Sequence, residues 1–319
     1  MHILIVGNCK IPVWGYGGTQ RIIWWLGKGL VERGHRVTYL VKRGSNCTFA
    51  HIIEFKSHLN LNHQIPLDID IVHLHFQPIE PLKVPYIITL HGNERAFHEL
   101  DKNTVFLSRN HAHRYQSELF VYNGIDFDDY GHVNLQKKRK HLLFLARASR
   151  KVKNLKQCQE IARRSGESLV IAGGYGISFN RRIKYKGIID GDEKIRVLNE
   201  SKALLYPVRG YEPFGLAIIE SLYFGCPVIG TKHGSLPELV KPEVGFLSNS
   251  ISELIRAVGR LEQYNRQFCH EYAADNFSYS RMVDSYLKLY EQVLNGNKLH
   301  ASNPLRTHTP DTPLLFISH

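Results

Sequence analysis

Cysteine is scarce in the 319-residue chain: the five present, Cys9, Cys47, Cys158, Cys226 and Cys269, are odd in number, scattered and without a C-x-x-C pair. That pattern argues against a disulfide framework or a cysteine-paired zinc site and suits a reducing compartment. Long apolar runs are missing too, none approaching the roughly 18–20 residues of a membrane-spanning helix. Residues 1–7 have neither the basic head nor the cleavage site of a signal peptide, so the chain is expected in the cytoplasm. Acidic side chains are the third shortage, 29 against 41 Lys and Arg, for a net charge of +12. With 43% hydrophobic and 22% charged residues, the composition excludes wholesale disorder, collagen-like repeats and a coiled coil. What remains is a core-burying globular chain long enough for two domains of about 100–200 residues each.

The positive charge is local. Residues 1–133 carry 13 Lys and Arg against 12 Asp and Glu, whereas residues 134–164 carry eleven basic side chains opposed by Glu160 alone. Such a cluster attracts phosphate, anionic lipid or nucleic acid, or simply keeps the protein soluble. No nucleic-acid reader motif accompanies it and aromatic residues are sparse within it, so no nucleic-acid partner is expected.

The pattern of the chain is an alternation that runs twice. An apolar run from Ile3 to Val6 meets Gly7 and the glycine-rich stretch Gly15, Gly17 and Gly18. Thr19 is placed to cap a helix through Ile22, Ile23, Leu26 and Leu30, and a strand follows from Val37 to Val41. Further strands are expected at 71–74, 86–90, 105–107 and 119–121. After the polar stretch 131–140 the alternation restarts, with strands at 141–145, 168–172, 203–206 and 227–230 and helices at 154–165 and 215–224. This predicts two doubly wound α/β domains with parallel sheets, residues 1–133 and 134–279. A helix over 280–295 is placed to pack back on the first, and residues 296–319 form a tail without assigned structure. Ile22, Ile23, Trp24, Trp25 and Leu26 are apolar on more than one helix side, which fits core burial or a membrane interface.

Chemistry concentrates in the second half. Glu212 and Glu220 flank the start of the 215–224 helix, about 12 Å apart if both lie on it. Pro213 suits its first turn, and the amides of Phe214, Gly215 and Leu216 suit an anion at its positive end. Arg147 and Lys153 follow an expected strand, where open α/β sheets bind ligands, and could neutralise a diphosphate. The plainer alternatives are an N-terminal helix charge with an exposed glutamate, and a solvated basic loop.

Taken in order, these residues resemble glycosyltransferase family 4, the glycosyl transferases group 1, retaining enzymes of the GT-B type. The likeness rests on Arg147 with Lys153, Glu212 with Glu220, Thr231 through Gly234, Ser235 and Pro237 to Glu238, and Val244 to Leu247. The first half adds Gly17, Gly18 and Thr19, Leu90, His91 and Gly92, and Tyr122 to Asp126. The resemblance implies two Rossmann-like domains facing each other across a cleft and a nucleoside-diphosphate sugar as donor. It implies a glycan, lipid-linked or small-molecule acceptor, a further option of peripheral contact at the inner face of a membrane, and no metal. It also implies roles: Arg147 and Lys153 on the diphosphate, Glu220 on the ribose, and Glu212 with the 214–216 amides on the transferred sugar. Gly17 and Gly18 would let backbone approach the diphosphate, and His91 would face the sugar. Ala146, Asn154 and Ser235 stand where the family pattern has glycine, and the first domain is shorter than is usual.

Rival readings exist. Asp68/Asp70, Asp126/Asp128 and Asp190/Asp192 are Asp-x-Asp pairs of the kind metal-dependent transferases use, and His73 and His75 share a strand face that could hold a metal. A GT-B-shaped epimerase, phosphorylase or non-catalytic relative shares the same frame.

Overall fold

A computed structural model describes every residue except 14, 16, 95–97, 308–316 and 319. The chain forms two compact units, Met1–Asp126 with Phe277–Pro310, and Phe127–Asn276 with Asp311–His319.

The first unit is built on β1 (His2–Gly7), β2 (Arg36–Val41), β3 (His51–Glu54), β4 (Ile71–Leu74), β5 (Tyr86–Thr89) and β6 (Thr104–Val105). They pair in parallel in the order β3-β2-β1-β4-β5-β6. The second unit repeats this with β7 (His141–Leu145), β8 (Leu169–Ala172), β9 (Ile183–Gly187), β10 (Ser201–Tyr206), β11 (Val228–Gly230) and β12 (Gly245–Leu247), in the order β12-β11-β10-β7-β8-β9. In each sheet the chain winds one way for three strands and then the other way for three. The reversal lies between β1 and β4 in one unit and between β7 and β10 in the other, which makes these pairs the switch points of doubly wound sheets. Near-continuous apolar runs such as Ile3 to Val6 suit such strands, because helices on both faces leave no wet side.

The helix Gly18–Glu32 buries Ile22, Ile23, Trp25, Leu26 and Leu30 in the core, while Trp24 is half-buried. Its start differs from expectation: Gly17, not Thr19, holds the N-cap position and Thr19 lies inside the helix. The helix Tyr279–Leu294 packs across it at close range. A β-carbon at Gly29 would fall 2.7 Å from Val283 Cγ2, so only glycine allows the approach. The same late helix sends two hydroxyls into the sheet: Tyr290 to His73 Nδ1 and Tyr286 to Thr89 Oγ1, both at 2.7 Å.

The units meet in sequence at Asp126 and Phe127, ahead of the expected boundary at 133/134, and the chain returns to the first unit at Phe277 rather than 280. Side-chain partners explain the shift: buried Asp126 is ion-paired to Lys28 of the first unit, while Phe127 stacks on Tyr223 of the second at 4.1 Å. Residues 119–121 make only an isolated bridge, Phe120 to Phe106, and β3, β9 and β12 were not expected as strands. All three lie at sheet edges; polar residues interrupt β3 and β9, and β12 is three residues long. Residues 297–307 of the tail are tied to the first unit. Leu305 bridges Glu99, the Leu100 amide donates to Pro304 O at 2.8 Å, and Arg306 is buried. Pro310 and Pro313 lie outside the described residues, and beyond them Ser318 pairs with Asn249 and Ile251 of the second unit.

Burial pushes the pKa of His73 down to about 3, and burial with Arg114 nearby does the same to His111. Unfolded, each takes a proton near pH 6.5; folded, each stays neutral until far lower pH. Stability is therefore complete above about pH 6.5 and falls below it by about 1.4 kcal/mol per pH unit for each histidine. Urea unfolding compared between about pH 7 and pH 5 is expected to show this loss, with a shallower slope in His73→Gln; equal slopes would refute the assignment.

Candidate functional site

At the second switch point, β7 and β10 lie side by side in parallel, so the loops leaving their carboxyl ends are neighbours. The β7 loop turns twice between the two cations singled out above, Arg150 N donating to Arg147 O at 3.1 Å and Lys153 N to Arg150 O at 2.9 Å. Asn154 follows in a left-handed conformation, φ +58°, which asparagine tolerates better than other non-glycine residues. This explains how it stands where a glycine was expected. Two bonds stitch the loops together: Arg209 N donates to Val152 O and Asn154 Nδ2 to Pro207 O, both at 2.8 Å.

That stitching sets the Lys153 ammonium on the Glu212 carboxylate and 2.9 Å from the Tyr206 hydroxyl. Both charges are mostly withdrawn from water, with side chains 12% and 16% exposed. Burial alone would lower the lysine pKa, but Glu212 and then Tyr206 outweigh it and hold the pKa above its usual value. Lys153 is thus a fixed cation at any physiological pH. Arg147, on the same loop, is exposed.

The Glu212 segment is buttressed from behind. Gly234 sits at φ +65°, and a β-carbon there would fall 2.2 Å from Glu212 N and 2.5 Å from Glu212 O. Ser235 donates through its amide to Glu212 O at 2.9 Å and through its hydroxyl to Phe214 O at 2.6 Å. Serine in place of a second glycine thus adds a tie that glycine lacks. The following helix runs Leu216–Tyr223 with Gly215 at its N-cap in the left-handed region, φ +99°. Pro213 therefore precedes the helix instead of opening it, and Glu212 and Glu220 do not share one, so the 12 Å separation estimated for a continuous helix does not apply. Phe214 is buried and Leu216 half-buried beside Gly215.

Glu220 is buried, not an exposed helix charge. Its Oε1 accepts from Lys194 Nζ at 2.6 Å and from the Tyr130 hydroxyl, and Lys194 lies over the Tyr130 ring at 5.3 Å. Tyr130, Lys194 and Tyr206 had not been singled out in the sequence. Lys194 carried a signal: it shares a helical stripe with the buried Val197 and Leu198, three and four positions on, where an apolar residue is the norm.

In the first unit, Gly17 and Gly18 begin the helix after β1, at that sheet's own switch point; Tyr16 lies outside the described residues. A β-carbon at Gly17 would fall 2.8 Å from Val13 Cγ2. His91 follows β5 and is half-buried, with Nε2 2.7 Å from His75 Nδ1. Burial holds its pKa down to about 4, so the ring is neutral at pH 7. His73, the metal candidate beside His75, has both ring nitrogens on hydroxyls, those of Tyr290 and Thr89. Of the Asp-x-Asp pairs, Asp68 and Asp70 are tied to His2, Asp126 to Lys28, and Asp190 occupies the N-cap position of the helix Gly191–Asn199 without a side-chain capping bond.

Residues 128–274 match the sequence profile of the family described as glycosyl transferases group 1. A 116-residue stretch is 29% identical to an uncharacterized 41.2 kDa protein in the cps region of Klebsiella pneumoniae, covering 34% of this chain and 32% of that protein. The match spans about a third of the length of the curated relatives. Among solved structures, a glycosyltransferase involved in avilamycin A biosynthesis superposes with a TM-score of 0.77 at 20% identity, over 93% of this chain and 98% of that one. Anabaena HepE in complex with UDP and glucose gives a TM-score of 0.69 at 15% identity, over 92% and 100%. At such identities the likeness establishes the fold, which is the GT-B fold.

Removing one partner of the buried Lys194–Glu220 pair leaves the other charge uncompensated. Lys194→Met is expected to cost about 3–5 kcal/mol in urea unfolding, and Lys194→Met with Glu220→Leu is expected to recover most of it. A single variant as stable as the parent would contradict the pairing. Gly234→Ala is expected to lower the melting temperature, through the clash with Glu212, whereas Gly296→Ala, with open space around its Cα, is expected to do so less.

Proposed function

We propose, from the match of residues 128–274 to the profile described as glycosyl transferases group 1, that the protein transfers a sugar from a nucleoside-diphosphate sugar to an acceptor hydroxyl with retention of configuration. The observation that carries this reading is the convergence of Lys153, Tyr206 and Glu212 on the two neighbouring loops at the second switch point. A fixed, largely desolvated cation there suits a group whose negative charge grows as the reaction proceeds.

In this reading Arg147 and Lys153 bind the diphosphate, Lys153 exchanging part of its contact with Glu212 for a phosphate oxygen. Glu212 is thereby available to hydroxyls of the transferred sugar, with the backbone of Phe214, Gly215 and Leu216 beside it. Glu220, kept oriented by Lys194 and Tyr130, takes the ribose hydroxyls. From the first unit, Gly17 and Gly18 are assigned to the diphosphate and His91, as a neutral imidazole, to the sugar. The bond between the anomeric carbon and the diphosphate oxygen breaks, the acceptor oxygen bonds to that carbon on the same face, and the acceptor proton passes to the departing phosphate. No metal is required, because the protein supplies the countercharge. The acceptor is a glycan, a lipid-linked sugar or a small molecule. The Anabaena relative's complex with UDP and glucose supports a nucleoside diphosphate as the leaving group.

Thermal-shift screening against a panel of nucleotide sugars identifies the donor, since a specific ligand raises the melting temperature by mass action. With that donor, Lys153→Ala is expected to lower kcat/KM by about 10²–10³-fold while far-UV circular dichroism is unchanged. Turnover equal to the parent's would remove the diphosphate assignment, and loss of transfer in a strong chelator would remove metal independence.

A further inference from the structure

The connection from β8 to β9, residues 173–182, is the one crossover between adjacent strands on that side of the second sheet that contains no helix. It carries apolar side chains outward instead: Tyr175 is 84%, Ile177 91% and Phe179 101% exposed, and Ile188, just past β9, is 55% exposed. Of the ten large hydrophobic residues exposed among the described residues, these four fall within fourteen positions. Exposed apolar groups grouped in this way mark a surface that meets something other than water.

The charge around them is of one sign. Arg181, Arg182, Lys184 and Lys186 are exposed, and residues 173–189 contain no Asp or Glu. Lys186 pairs with Glu193 at 3.2 Å, while Arg181, Arg182 and Lys184 have no carboxylate partner among the described residues. Arg182 Nη1 donates to Gly166 O at 2.7 Å, which brings the basic end of the helix Leu155–Arg164, with exposed Arg163, alongside. Part of the cationic cluster at 134–164 thus adjoins the apolar loop. Side chains exposed almost completely stand proud of the surface and can enter an apolar phase without dehydrating the polar surface beneath them. A flanking row of unpaired cations suits phosphate headgroups in the same plane.

We propose that residues 175–188 form a membrane-docking element, with Tyr175, Ile177 and Phe179 entering the headgroup–acyl boundary of an anionic bilayer and Arg181, Arg182 and Lys184 binding its headgroups. Vesicle binding is read without turnover.

The full-length protein is sedimented with phosphatidylcholine vesicles, with or without phosphatidylglycerol. Binding is expected only when phosphatidylglycerol is present, and it is expected to weaken with added salt. The triple variant Arg181→Glu, Arg182→Glu, Lys184→Glu is expected to lose at least about 100-fold in partitioning. Ile177→Asp with Phe179→Asp is expected to abolish binding with no change in melting temperature, since both positions are exposed. Leu67→Asp with Ile79→Asp, exposed apolar positions in the first unit, should bind as the parent does. Equal binding of parent and Ile177→Asp/Phe179→Asp, or no binding to anionic vesicles, overturns the proposal. So does sedimentation-equilibrium analysis showing a dimer that the same double variant dissociates, since the loop then belongs to a second copy of the chain.

Discussion

Everything at the candidate site depends on the parallel pairing of β7 with β10. The two strands are separated in sequence by β8, β9 and two helices, yet the reversal of winding makes them neighbours, so their exit loops must share space. Once the bonds from Arg209 to Val152 and from Asn154 to Pro207 join those loops, Lys153 has little freedom except to face Glu212 and Tyr206. The cation is costly to bury and would be unstable there alone. The carboxylate keeps it charged, and the loop geometry keeps the carboxylate in reach.

A second buried cation–carboxylate pair, Lys194 with Glu220, lies in the same unit and follows the same logic with a phenol in attendance. Tyr130 belongs to the stretch Phe127–Tyr130 that opens the second unit. The residues entering this unit therefore help set the orientation of Glu220. An entry segment held by Phe127 on Tyr223 and by Tyr130 on Glu220 explains why the unit begins at 127, before the polar basic stretch.

The departures from the family's glycine pattern have separate physical accounts. Asn154 adopts the left-handed conformation that glycine would have supplied and adds a side-chain bond to Pro207. Ser235 adds to its backbone bond a hydroxyl bond to Phe214 O that glycine lacks. Nothing in the structure explains the choice of alanine at 146.

Periodicity in the chain was enough to establish a twice-repeated α/β alternation, the central strands and the late helix. Buried parallel strands are apolar almost throughout, so their runs stand out in the sequence. The edge strands β3 and β9 escaped because their residues are half wet and show no apolar run. The ordered course of residues 297–307 escaped because its bonds go to distant backbone groups. Only the tertiary structure decided that Gly215 and not Pro213 leads into the helix, that Glu220 is buried, and that Tyr130, Lys194 and Tyr206 complete the charged pairs. The charged-pair contacts join residues 26 to 90 positions apart, and contact over such spans is set by strand order, which no local pattern encodes.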